Sequence, residues 1–94
     1  MSADTAQRRE VHYQGMVQGV GFRYTTRHIA ARFTVTGYVR NLPDGRVLLV
    51  AEGQPEELDR FLASVAQVLG RYVDQTRQTV HPATGEFAGF DIRL

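Results

Sequence analysis

The strongest chemical signal in this 94-residue sequence is Arg23, which closely follows the loop Gly15-Met16-Val17-Gln18-Gly19-Val20-Gly21. Beyond that loop Phe22, Thr26, Ile29, Ala30 and Phe33 fall at helical spacing, so Arg23 stands at a helix N-terminus. The loop's glycines can take positive φ and turn backbone N–H groups inward as a concave nest. A cation at the positive end of a helix dipole costs ~0.3–1 kcal/mol, and no acid lies near Arg23 in sequence to offset it. Amide donors, a dipole end and a guanidinium converging on one spot describe an anion site. Arginine's planar fork suits a phosphate, which it grips bidentately. The plainer alternative is a tight strand-to-helix turn followed by a solvated arginine.

The charge distribution favours the anion site. From Val11 to Pro43 the chain carries Arg23, Arg27, Arg32 and Arg40 and no Asp or Glu, a local charge of +4 against −3 for the remainder. Every basic residue apart from the histidines is arginine, so a P-loop site and lysine Schiff-base chemistry are both excluded. The absence of cysteine removes disulfides, thiol nucleophiles, iron–sulfur clusters and thiolate zinc sites. His12, His28 and His81 have no metal-ligand spacing, so no metal and no cofactor is expected. No apolar run approaches the ~20 residues that cross a bilayer, and the N-terminus lacks a signal-peptide apolar region. A cytoplasmic monomer without membrane or nucleic-acid partners is the expectation.

The elements that must position Arg23 are legible from period and punctuation. Residues 1–7 read as a loose tail, and residues 8–94 as a single domain. Alternation predicts a strand over Arg8–Gln14, then the loop and a helix of about three turns. Thr34–Asn41 returns to period two, Leu42-Pro43-Asp44-Gly45 is turn chemistry, and Arg46–Glu52 completes a hairpin. Pro55, Glu56, Glu57 and Asp59 signal the start of a second helix, with Leu58, Phe61, Leu62, Val65 and Leu69 as its stripe and Gly70 as its C-cap. Thr76–His81 is a weakly marked polar strand, Pro82–Gly85 a turn, and Phe90, Ile92 and Leu94 alternate as a last strand. The order β-α-β-β-α-β is that of a ferredoxin-like α+β sandwich, an antiparallel four- to five-stranded sheet with two helices on one face.

Two partial motifs fail. Gly19-Val20-Gly21 opens a dinucleotide fingerprint, but Tyr24 holds the third glycine's place. Gly21-Phe22-Arg23-Tyr24 partly matches an RNA-recognition motif, whose aromatics belong on a central strand and not at the start of a helix. Asp44 precedes Gly45 as a turn residue, and Tyr38 reads as packing or a pocket wall. Arg27 and Arg32 read as solvated helix residues. Arg40 alternates to the strand face opposite Asn41 and is left outside the site.

Residues 15–53 resemble the acylphosphatase family. They carry its Gly-x-Val-Gln-Gly-Val-Gly-Phe-Arg run, then Thr-Gly-Tyr-Val-Arg-Asn and the Asp-Gly hairpin at the family's spacing. The resemblance implies hydrolysis of an acyl phosphate to a carboxylate and inorganic phosphate, without a metal ion. It makes Arg23 the phosphate-binding arginine, and Asn41 the residue that orients the attacking water. Gly15, Gln18, Gly19, Val20, Gly21 and Phe22 become the phosphate cradle. One departure is Gly70-Arg71-Tyr72-Val73-Asp74, where the family commonly has Gly-Pro. The alternative is a non-catalytic anion-, phosphate- or RNA-binding module on the same fold.

Overall fold

A computed structural model describes residues 5–94 of the chain. Residues 1–4 of the expected tail lie outside the described residues, and Gln7 opens the first strand instead of ending a tail. The elements are β1 (Gln7–Gly15), α1 (Phe22–Ala30), β2 (Thr36–Asn41), β3 (Val47–Gly53), α2 (Pro55–Leu69), β4 (Val73–Pro82) and β5 (Phe90–Arg93). Five strands form one sheet in the order β4-β1-β3-β2-β5.

Alternation along the strands builds the core. Val11 and Tyr13 of β1, Val39 of β2, and Val47, Leu49 and Ala51 of β3 join Phe22, Ile29, Leu58, Phe61, Val65 and Leu69 from the helices in one buried cluster. The apolar face expected for α1 is the face it buries: Phe22, Thr26, Ile29 and Ala30. That helix ends at Ala30, and Phe33 lies beyond it, its ring 5.9 Å from that of Phe61. Proline at the first turn of α2 and acids beside it match the dipole as expected. Arg9, buried on the core face of β1, donates to Asp59 of α2 at 2.8 Å and so ties sheet to helix.

Three features differ from expectation. The sheet is mixed: β5 pairs with β2 in parallel, while every other pairing is antiparallel. Gly70 caps α2 with right-handed φ (−59°), so the chain runs on through a 3-10 turn at Gly70–Tyr72. The fourth strand is ten residues long and almost wholly exposed. It pairs with β1 along one edge only, which explains its polar composition.

β4 and β5 occupy opposite edges, so the chain between them must cross the sheet. It does so on the face away from the helices, where Glu52 anchors it. The Glu52 carboxylate accepts from Thr84 N (3.0 Å), the Thr84 hydroxyl (2.8 Å) and Gly85 N (2.9 Å). Phe87 then rests against Tyr38, with ring centroids 5.7 Å apart, under the Arg8 guanidinium. Burial disfavours the charged Glu52, but these donors and nearby Arg8 outweigh it and hold the carboxyl below its ordinary pKa.

Candidate active site

The loop between β1 and α1 is anchored at its centre and open at its end. Val17 is fully buried in the core, which pins the loop to the sheet. Gly21 is the N-cap of α1 with φ 78°, and its carbonyl accepts the first helical bond, from Thr25 N at 2.9 Å. The first turn of α1 carries no acid, as the sequence suggested. Gly21 faces open space, so its need for glycine is conformational.

One hollow of ≈240 Å³ gathers Val17, Gly19, Gly21, Phe22, Arg23, Tyr24 and Asn41 together with Ile92 and Leu94. The fold thus brings Arg23 from the start of α1 and Asn41 from the end of β2 to one place. Arg23 is half-buried, and among the described residues it has no carboxylate partner. The Asn41 Oδ1 is buried and has no hydrogen-bond partner among the described residues. A buried acceptor of this kind demands a donor, and a guanidinium without a counter-ion favours an anion.

The other expected cradle residues divide. Gly19 and Gly21 line the hollow, whereas Gly15, Gln18 and Val20 do not. Gly15 ends β1, where the register with β4 shifts, and a Cβ there would sit 2.3 Å from the Tyr72 carbonyl oxygen. Its service is to let β4 approach the backbone. Phe22 buries its ring against Tyr13, centroids 5.1 Å apart, so its side chain belongs to the core. Val20 stays partly exposed.

Gln18 acts one step away from the hollow. Its side-chain amide donates to the carbonyls of Leu42 (2.9 Å) and Arg46 (3.0 Å), clasping the base of the β2–β3 turn. This bond joins the loop that leads to Arg23 to the residue that follows Asn41. Asp44 closes the same turn by accepting from Arg46 N (3.1 Å) and Arg46 Nε (2.8 Å), the turn role expected of it. Arg40 lies outside the hollow.

Tyr24, Ile92 and Leu94 line the hollow without having been expected there. Nothing local marks Ile92, because it reaches the site only through the parallel β2–β5 pairing. Among the described residues no three His, Asp or Glu side chains gather in a set that could hold a metal ion. No helix among them is long and apolar enough to cross a membrane.

The fold is the α+β sandwich of the acylphosphatase class. A crystal structure of acylphosphatase from Bacillus subtilis superposes with a TM-score of 0.84 at 29% identity, over 94% of this chain and 99% of that one. An acylphosphatase from Coxiella burnetii superposes at 0.72 with 26% identity, over 95% and 94% of the two chains. Residues 9–92 match the family model for acylphosphatases. Among relatives, an acylphosphatase of Arthrobacter sp. (strain FB24) is 44% identical over 88 residues, 90% of this chain and 79% of that protein. One from Archaeoglobus fulgidus is 54% identical over 56 residues, 60% of this chain and 63% of that protein. The chain belongs to the acylphosphatase family and is an enzyme of that class.

Proposed function

We propose that this chain hydrolyses acyl phosphates by direct attack of water, using Arg23 and the amides near Gly19 and Gly21 to hold the phosphate and Asn41 to orient the water. The reading rests on one observation: an arginine without a carboxylate partner and a buried, unpartnered Asn41 Oδ1 line the same hollow.

The chemistry asks little else of the protein. The water oxygen forms a bond to phosphorus while the bond from phosphorus to the acyl oxygen breaks. The leaving carboxylate departs with the electron pair of that bond. The water's proton passes to a phosphate oxygen of the substrate, so no side chain need serve as general base. A carboxylate leaves readily, so no strong general acid is needed either. Catalysis then comes from orienting the reactants and stabilising charge on the equatorial phosphate oxygens. The Asn41 Oδ1 accepts a hydrogen bond from the attacking water and fixes its approach. The phosphate carries most of the recognition, so the acyl half is loosely specified and no metal ion takes part.

The test is release of phosphate from benzoyl phosphate with a chelator present. Turnover unaffected by chelator and inhibited competitively by phosphate supports the proposal. Phosphate binding without turnover overturns it and leaves a phosphate-binding module.

A further inference from the structure

A second, larger hollow of ≈380 Å³ opens on the sheet face away from the helices, and it shares no residue with the one beside Arg23. His12 and Gln14 of β1, Gln75 and Arg77 of β4, and Asp44 and Arg46 of the hairpin turn line it. Strand register explains the convergence: His12 stands opposite Arg77 and Gln14 opposite Gln75, and side chains opposite one another project from the same face. No apolar side chain is among the lining residues.

The lining is rich in donors. Asp44 is its one carboxylate, and both of its oxygens already accept from Arg46. Arg77 has no carboxylate partner among the described residues. Two amide side chains and the His12 ring add donor capacity around it. A hollow holding an uncompensated guanidinium and neutral donors, with its one acid spent, complements a ligand made of acceptors. Its greater volume suits a ligand larger than a single phosphate group.

We propose that this hollow binds a small polyvalent oxyanion at a site separate from the catalytic one. The shared chemistry is several anionic oxygens on one compact molecule, supplied by linked phosphates or by several carboxylates. Arg77 holds the ligand by charge-assisted hydrogen bonds, with Gln14, Gln75 and His12 around it.

The test titrates pyrophosphate and, separately, citrate into the Arg23→Gln chain, in which the catalytic site is silenced, while amide NMR signals are followed. Saturable shifts at residues 12–15 and 75–77 with either probe support the site, and the probe that binds identifies the source of the oxygens. In the Arg23→Gln, Arg77→Gln chain that affinity should fall at least tenfold. Arg77 lies on an exposed edge strand, so Arg77→Gln alone should keep benzoyl phosphate turnover at the wild-type rate, which certifies its fold. Absence of saturable shifts at those residues with both probes, or an affinity unmoved by Arg77→Gln, overturns the proposal.

Discussion

The Gln18 side-chain amide donates to the Leu42 carbonyl oxygen at 2.9 Å, fastening the β1–α1 loop to the residue that follows Asn41. With its companion to Arg46 it ties the loop that leads to Arg23 to the turn that follows Asn41. Gln18→Ala should affect rate more than stability. Removing this bond and its companion to Arg46 costs about 1–2 kcal/mol of stability. That corresponds to roughly 4–8 °C in Tm for each kcal/mol in a domain of this size. Turnover should fall by about 10²-fold, since small misplacements of reacting groups carry that penalty. Calorimetry and benzoyl phosphate kinetics on one preparation separate the two effects, and an unchanged rate would show that the clasp does not position Asn41.

Gly15 and Gly21 both hold positive φ (143° and 78°), and Gly15 adds a close backbone approach that Gly21 lacks. At Gly15 a Cβ would lie 2.3 Å from the Tyr72 carbonyl and 2.8 Å from Asp74 N, so β4 must be displaced. We expect a loss of about 1–3 kcal/mol from overpacking, read by urea denaturation. At Gly21 there is room, but φ is 78°, so alanine costs about 1–2 kcal/mol in backbone strain. The Gly21 variant should also lose phosphate affinity at temperatures where it remains folded, because the N–H groups beside Arg23 are turned away.

Glu52 should make stability depend on acid pH. Its folded carboxyl titrates lower than an ordinary one, so the unfolded chain takes up a proton first as pH falls. The stabilisation is fully present above the unfolded value of about 4.3. It is lost as pH drops through the lowered folded value, and the crossing over the open face loosens with it. Glu52→Gln should cost about 1.5–3 kcal/mol at pH 7 by weakening charge-assisted bonds. Its Tm should also fall less steeply than the wild type's between pH 5 and pH 3. Parallel acid limbs for the two proteins would assign the dependence to another group.

Legibility in the sequence followed the physics of each segment. The hairpin, both helices and the glycine-rich loop announce themselves because burial on one face imposes a period and turns demand particular residues. β4 has no buried face, so its pattern shows neither its length nor its start at Val73. The parallel pairing of β5 with β2 comes from the crossing chain and its Glu52 anchor, and a buried acid reads in sequence like any surface charge. Arg23 and Asn41 were legible as a pair only through the family pattern. Gln18 was legible as a loop residue, but its partners are backbone carbonyls, which every residue possesses.

Arg23→Gln should show the cost of the site to the fold. Removing a cation from the positive end of α1 relieves about 0.3–1 kcal/mol, so the variant should be slightly more stable than the wild type while binding phosphate at least tenfold more weakly. Thermal unfolding with and without phosphate reads both effects, and a less stable variant would indicate that Arg23 holds the fold together.

The division of labour in which one residue grips the phosphate and another aims the water is decided by steady-state hydrolysis of benzoyl phosphate with inorganic phosphate as inhibitor. The wild type, Arg23→Gln and Asn41→Ala are compared side by side. Asn41→Ala should keep the wild-type phosphate inhibition constant while kcat falls by about 10²–10³, and Arg23→Gln should lose both inhibition and turnover. Wild-type turnover in both variants, or an Asn41→Ala enzyme that loses phosphate affinity and keeps its rate, would contradict it.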